Sequence, residues 1–353
     1  MIIGACGFGS TGSSAVTDYL KEFGKINVID TIEFTWVSAV DGLIDLDYHL
    51  NHPHGRTRDS IVAIQRYRNL CERVAKKLVR LGVEQQFFMN SVNCFLDSVI
   101  TTKWKWYGIT PPTRPLWDQT LRKIIKKTNV ISKWEIKNGR QWERYPYEDV
   151  CLSVRPESFD FLAKQHVMEI INSIRHSDCG DIVMDQPFPG NNPQACFKFF
   201  EDPYAIVVDR DPRDNYVFGR TKLLTKPFSH LMPTNSVVDF VKYYKSLRDK
   251  QPYKEKNPRI LRVQFEDMVY NYETTTMKIR NFLHLPDNPH PKSIFDPAIS
   301  MPNTQIWKRF PQFTEDIKYI EQMLPEYLFD FTGYPEPDLN GKMFVGRSPK
   351  GNK

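Results

Sequence analysis

An apolar strand, a glycine-rich turn and an amphipathic helix follow one another without a gap at the start of this chain, and few folds accommodate that succession. Met1-Ile2-Ile3-Gly4-Ala5-Cys6 reads as a short buried strand and Gly7-Phe8-Gly9-Ser10-Thr11-Gly12-Ser13-Ser14 as the turn. Val16, Tyr19, Leu20 and Phe23 then recur at i, i+3, i+4 and i+7, the apolar stripe of a helix. Gly24 stands where a left-handed C-cap would close it. The first N–H groups of a helix have no partner within it, the macrodipole is positive there, and glycine lets a backbone approach a phosphate. The stretch predicts an anion site, with a purely structural turn as the bland alternative.

Three phosphate-binding patterns compete for the loop. Gly7, Gly12, Ser13 and Ser14 fit the Walker spacing except that Ser13 takes the lysine position, and nucleotide hydrolysis needs that lysine. Gly7, Gly9 and Gly12 satisfy G-x-G-x-x-G, with Asp30 near the distance of a ribose-binding acid in a dinucleotide fold. The third pattern is the 5′-phosphosulfate loop of the sulfotransferases, which the run from Gly7 to Ser14 resembles, with hydroxyls at Ser13 and Ser14 in place of the Walker lysine.

The chain has 353 residues, enough for one large α/β domain or a domain with an insertion. No apolar run reaches membrane-span length, and the N-terminus leads straight into the loop strand without a signal-peptide pattern. The six cysteines are scattered, with no CxxC pair, which reads as reduced thiols and a cytoplasmic setting. The net charge of +6 is concentrated: residues 101–150 hold eleven Lys/Arg against five acids, so the remainder is neutral. That localisation, with no nucleic-acid motif, argues against a nucleic-acid partner.

Farther along, Lys25–Asp30 reads as a second strand that continues extended through Thr31–Val37, and Ile61–Leu81 as a long helix stopped by Gly82. Residues 101–157 carry five of the seven tryptophans and the basic surplus, and read as an insertion on the scaffold. Ser158–His176 is helical in pattern; Asp181–Asp185, Tyr204–Asp209 and Arg259–Phe265 are strands, with helices after Pro233 and over Glu273–Leu283. Short apolar strands alternating with helices predict an α/β fold with a central parallel sheet and ligands at the strands' C-terminal ends. The whole is expected as a single domain over 1–353, with 341–353 a loose polar tail.

A second motif bears on the family. Val207-Val208-Asp209-Arg210-Asp211-Pro212-Arg213-Asp214 resembles the sulfotransferase 3′-phosphate segment, a strand ending in R-[DN]-P-x-D. An arginine there can fork two N–H groups onto a phosphate. Phe265-Glu266-Asp267 with the following helix resembles the family's strand–[FY]-E-D–helix segment, and Asn303–Phe313, with Trp307-Lys308, its late nucleotide-covering loop. The resemblance spans residues 1–40 and 180–335. It implies a P-loop-like fold and transfer of a sulfuryl group from 3′-phosphoadenosine-5′-phosphosulfate (PAPS), leaving adenosine 3′,5′-bisphosphate. It implies cofactor contacts at Gly7, Gly9, Ser10, Thr11, Gly12, Ser13, Ser14, Arg210, Phe218, Phe265, Asn303, Trp307 and Lys308, and no metal. Two positions depart from the pattern: Ser10 replaces a basic residue, for which Arg56, Arg58 and Lys308 are the candidate substitutes, and Phe218 replaces a serine. Arg213 reads as a helix-surface charge pairing the Asp214 turn.

Transfer to a hydroxyl needs a general base. Glu33, before Phe34, matches the place where glycan sulfotransferases carry a catalytic glutamate. Asp185 is second, ending the strand where cytosolic sulfotransferases carry a histidine; Gln186, nearest that position, cannot take a proton. His49, with His52 and His54, is the third candidate. The tryptophan- and lysine-rich insertion suits stacking on sugars and pairing with acidic groups, so the expected acceptor is a glycan, such as a bacterial capsular polysaccharide, against core tryptophans and a solvated basic face. A lipid or sterol-like alcohol is the alternative acceptor. A nicotinamide oxidoreductase and a non-catalytic PAPS-binding module are the alternatives in other classes.

Overall fold

The computed structural model describes residues 1–51, 57–106, 120, 148–176, 179–223, 232–249, 256–336 and 343. In chain order the elements are β1 (Ile2–Cys6), α1 (Ser14–Leu20), β2 (Ile26–Glu33), α2 (Leu43–Asn51), α3 (Thr57–Leu78), α4 (Gln85–Val99), β3 (Thr102–Trp106), β4 (Glu148–Leu152) and α5 (Phe159–Ile174). There follow β5 (Asp181–Asp185), β6 (Pro203–Asp209), α6 (Pro212–Leu223), α7 (Val237–Arg248), β7 (Ile260–Gln264), α8 (Phe265–Tyr270), α9 (Tyr272–Leu283) and α10 (Thr314–Met323). The chain divides into two compact units, one of Met1–Val37 with Ile174–Lys353, the other of Ser38–Ser173.

The first unit is an α/β fold on a parallel sheet, five-stranded among the described residues, in the order β2-β5-β1-β6-β7. All five residues of β1 are buried, as expected of a strand with sheet neighbours on both sides and apolar layers above and below. Ile3 and Ala5 of β1 share one apolar cluster with Val16, Tyr19 and Leu20 of α1 and with Met268, Ile279 and Leu283. Each fully buried Leu, Ile or Val contributes about 1.5–3 kcal/mol. A second cluster joins Val217 and Tyr216 of α6 to Phe240 and Tyr244 of α7 and to Ile317 and Ile320 of α10.

The stripe expected after the glycine loop is buried throughout, Val16, Tyr19, Leu20 and Phe23 alike. The expected cap at Gly24 is not there. The helix ends at Leu20, its C-cap Lys21 stays right-handed and donates to the Thr17 carbonyl, and Gly24 has no positive φ. The Ile26 N–H donates to the Phe23 carbonyl at 3.0 Å, so the chain enters β2 through an ordinary turn. Gly82 does cap in the left-handed region, φ 80°, after α3 and a 3₁₀ turn at Val79–Leu81.

The segment between β2 and β5 forms the second unit, larger than the 101–157 insertion expected from composition. It contains α2 to α5 and the antiparallel hairpin β3–β4, in which Trp104 faces Val150 across the ladder. The Asp- and His-rich stretch after Asp41 is helical as α2, and α4 had no place in the sequence reading. Trp104 packs against Ile61 and Val150, a core role. A buried polar chain runs through this unit. The Ser91 hydroxyl donates to Glu169 and lies 2.8 Å from His166 Nδ1, and His166 Nε2 lies 3.1 Å from the Tyr67 hydroxyl. His166 stacks on Phe95, and burial pushes its imidazole down to about 3. The other four tryptophans' side chains, and all but residue 343 of the 341–353 tail, lie outside the described residues. Among the described residues no helix is long and apolar enough to cross a membrane.

Candidate active site

The glycine loop leaves β1 through three left-handed residues, Gly9 (φ 72°), Ser10 (φ 57°) and Gly12 (φ 91°). Such a conformation is open to glycine and strained for serine. At Gly12 a side chain is excluded twice, because a Cβ would also lie 2.6 Å from the Phe265 ring. The loop is braced from within and from outside. The Phe8 N–H donates to Thr11 Oγ1 at 3.1 Å, so the buried Thr11 hydroxyl serves the turn itself. Asn215 Nδ2 donates to the Gly9 carbonyl at 3.3 Å. The Gln186 amide accepts from the Gly7 N–H at 3.1 Å and donates to Ser13 Oγ at 3.1 Å. Ser13 is the N-cap of α1, makes no side-chain cap bond, and Ser14 opens the helix.

β1 lies beside β6, Cys6 opposite Val207, so the loop and the Arg210 segment emerge side by side at the strands' C-terminal ends. β2 and β5 fall on one side of β1, β6 and β7 on the other. That reversal is the crevice where open parallel sheets take ligands. In a dinucleotide fold the second strand would lie beside the first, and here β5 intervenes. Asp30, the ribose candidate of that reading, is salt-bridged to Lys21.

Arg210 is held at every level. Asp209, the last residue of β6, accepts two hydrogen bonds from the buried Arg248 guanidinium at 2.8 and 2.6 Å and a third from the Arg210 N–H at 2.9 Å. The Tyr244 hydroxyl donates to the Arg210 carbonyl at 3.1 Å. Arg210 is 4 % exposed, and its guanidinium lies over the rings of Phe265 at 5.2 Å and Phe218 at 5.7 Å. Nη1 donates to the Ser10 carbonyl at 3.2 Å and Nη2 to the Asn303 carbonyl, while Nε is buried without a partner. One side chain thus touches the glycine loop, two of the three aromatic residues expected at the cofactor and the late loop.

The acids of the motif fasten loops. Asp214, fully buried, accepts from the Gln305 N–H at 2.7 Å and the Trp307 N–H at 3.3 Å, and burial raises its carboxyl to about 7 despite Arg210 nearby. Glu266 accepts from the Asp211 N–H at 3.1 Å, and burial beside Asp211 and Asp214 holds it well above the carboxylate range. Arg213 corrects the sequence reading. It is buried, pairs with Asp211 at 2.7 Å and Glu321 at 2.9 Å rather than with the Asp214 turn, and lies over the Trp307 ring at 4.8 Å. In one turn of helix from Pro212, Arg213 points inward to the acids, where the R-x-P-x-D spacing alone leaves its face open. The Trp307 ring is therefore stacked on protein cations, and Lys308 pairs with Glu336 at 2.6 Å.

The expected bases separate. Glu33 faces Asp185 across β2 and β5, past an irregularity in the ladder after Ile29. Glu33 is exposed and Asp185 half-buried. Burial, with the Glu33 and Asp30 carboxylates beside it, pushes the Asp185 carboxyl up to about 7. A carboxylate poised near neutrality suits proton abstraction better than a solvated one. His49 lies on α2 of the second unit, its ring against Tyr48 at 5.6 Å. His52, His54 and Arg56, and the Arg58 side chain, lie outside the described residues.

Sequence reasoning overlooked Gln186, which it set aside as a non-base, and Arg248. The first had a signal in its place at a strand end beside the loop; the second had none, since a buried Asp209 demands a cation without naming one of 48.

Fold and crevice define an α/β chain with a central parallel sheet and a glycine loop facing a buried arginine. No protein-family model matches the chain, and no curated protein matches it. Among solved structures it is similar to the sulfotransferase domain of the Synechococcus PCC 7002 olefin synthase, at 10% identity over 87% of this chain and 86% of that one, TM-score 0.37. It is similar to the sulfotransferase domain from the curacin biosynthetic pathway, at 12% identity over 84% and 77%, TM-score 0.34. Sulfotransferase STF9 from Mycobacterium avium aligns at 13% identity over 94% and 76%, TM-score 0.35.

Proposed function

We propose that this chain is a PAPS-dependent sulfotransferase that sulfates a hydroxyl of a glycan. The observation that carries the reading is the reach of Arg210 from the end of β6 to the Ser10 carbonyl of the glycine loop. Two anion-binding elements far apart in sequence adjoin, as a nucleoside phosphorylated at both ends requires.

The residues fit such a ligand. The buried, unpartnered Nε of Arg210 is a charged donor short of an acceptor, which a 3′-phosphate would supply. Ser13, Ser14 and the backbone from Gly9 to Gly12 would hold the 5′-phosphosulfate end, as hydroxyls and helix-start N–H groups hold anions. Bound there, PAPS would supply a sulfuryl group activated by its phosphosulfate anhydride. The protein's own work is positioning and charge compensation. Asp185, ionised above its pKa, would take the proton of the acceptor hydroxyl as the acceptor oxygen bonds to sulfur and the sulfur–oxygen bond to the 5′-phosphate breaks, with adenosine 3′,5′-bisphosphate leaving; burial, with Glu33 beside it, keeps that carboxyl's pKa high.

The glycan assignment rests on the five tryptophans and the basic surplus within 101–150. The test is a thermal-shift panel of adenosine 3′,5′-bisphosphate, NAD and ATP, followed by labelled PAPS with polysaccharides, lipids and sterols as acceptors. Stabilisation by the bisphosphate and label transfer to a polysaccharide are expected. Stabilisation by NAD alone overturns the reading, and bisphosphate binding without transfer to any acceptor reduces it to a PAPS-binding module.

A further inference from the structure

Gln186 has an unusual backbone and an unusual side chain. Its φ is 53°, a left-handed conformation that costs energy in a non-glycine residue and persists where the surroundings impose it. Its own N–H donates to the Ala5 carbonyl at 3.0 Å, holding the end of β5 against β1. Its side chain spans the glycine loop from Gly7 to Ser13.

The hydrogen-bond directions are forced. A backbone N–H can only donate, so the atom 3.1 Å from Gly7 N is the amide oxygen, Oε1. Nε2 is then the atom at Ser13 Oγ, and it can only donate. Ser13 therefore accepts from Gln186, and its single proton remains for another acceptor. The neighbouring Arg210, 4 % exposed and unpartnered at Nε, adjoins the same loop with a buried charged donor short of an acceptor.

We propose that Gln186 is a positioning residue that orients the Ser13 hydroxyl as a donor to the 5′-phosphosulfate end of the ligand. The relay runs from Gly7 N–H through the amide to Ser13, and the same residue joins the loop to Asp185, the base. This rests on the sulfotransferase reading for the ligand's identity and not for the relay's direction. An amide serves here where a carboxylate would not. The oxygen that replaced Nε2 would accept from Ser13, turn its proton inward and place negative charge beside the anion.

The test compares adenosine 3′,5′-bisphosphate with adenosine 3′-monophosphate by calorimetry on the whole chain. Gln186→Glu is expected to weaken the bisphosphate by about tenfold or more and leave the monophosphate unchanged. Ser13→Ala should do the same, and in the double variant the part of the Gln186→Glu loss that runs through the Ser13 proton should vanish, leaving only the charge repulsion, because the two share one hydrogen bond. If that loss persists in full without the Ser13 hydroxyl, bare charge repulsion explains it and the relay is overturned. Equal weakening of both nucleotides, with a fall in melting temperature, marks a structural residue and also overturns it. If Gln186→Glu does not fold, Gln186→Met carries the same comparison with a loss of about threefold. Should the unaltered protein bind neither nucleotide, the sulfotransferase reading fails on its own, and inorganic phosphate becomes the probe. Thermal stabilisation by phosphate that both variants lose supports the relay, and no stabilisation of the unaltered protein overturns it as well.

Discussion

The Arg210 guanidinium donates to the main-chain carbonyl of Ser10, 200 residues earlier in the chain, at 3.2 Å. A buried cation therefore closes the crevice between β1 and β6, and it is the contact through which both ends of a bisphosphorylated nucleoside would be felt.

Arg210→Ala should remove the stabilisation by adenosine 3′,5′-bisphosphate, a loss of about 10- to 150-fold in affinity, the value of hydrogen bonds to charged groups. Arg210→Lys should recover only part, because an ammonium cannot reproduce the fork or the guanidinium's contacts over Phe265 and Phe218. Titration calorimetry decides; affinity retained in Arg210→Ala would remove this residue from the site.

Asp185→Asn is expected to lower kcat by about 10²-fold or more with bisphosphate binding unchanged. A general base works ionised, so activity should rise with pH through about 7 and level off above it. Glu33→Gln removes a charge that raises the Asp185 pKa, so it should move that limb to lower pH at a modest cost in rate. Collapse of kcat in Glu33→Gln with Asp185→Asn active would reverse the two roles. The stability sign is opposite to the activity sign. A carboxyl whose folded pKa lies above its unfolded value favours the folded state below about 3.8 and loses that contribution as pH rises through about 7, which Asp185→Asn should abolish in a pH series of urea midpoints.

His166 makes the second unit acid-sensitive. Its folded pKa, lowered by burial to about 3, lies below the unfolded value of 6.5, so its contribution is present above 6.5 and lost as pH falls toward 3. The loss should be about 2 kcal/mol between pH 6.5 and 5 from this residue alone. Urea unfolding of the unaltered chain and of His166→Gln at both values checks it: the variant should start weaker and show the shallower pH dependence.

Gly12→Ala and Gly9→Ala should differ although both residues are left-handed. Nothing lies within 4 Å of a Cβ at Gly9, so that variant carries backbone strain alone, about 1 kcal/mol. At Gly12 the added methyl meets the Phe265 ring at 2.6 Å, so the strain is joined by displacement of a residue that also flanks Arg210. A clearly larger fall in melting temperature and loss of bisphosphate binding are expected for Gly12→Ala, and equal effects would put the Phe265 contact in doubt.

Asp214→Ala leaves the buried Gln305 N–H, at a cost of about 1–3 kcal/mol, and the part-buried Trp307 N–H without their acceptor. The late loop should loosen, read as faster amide exchange over 303–308.

What the sequence determined by itself is local. Alternation of short apolar runs with helical stripes specified β1, β5, β6 and β7 and the helices α1, α3, α5, α7 and α9, because burial of a strand or a helix face is written in the spacing of its own residues. The glycine loop and the arginine at the end of β6 were legible for the same reason, each being one stretch of backbone with its own steric demands. What the tertiary structure alone decided is which distant groups meet. That Arg213 turns inward to Asp211 and Glu321, that burial beside Glu33 and Asp30 lifts the Asp185 carboxyl, and that an amide at Gln186 donates to a hydroxyl at Ser13 are facts about neighbours. Side-chain charge and hydrogen-bond direction depend on surroundings assembled from several strands, and no window of sequence contains them.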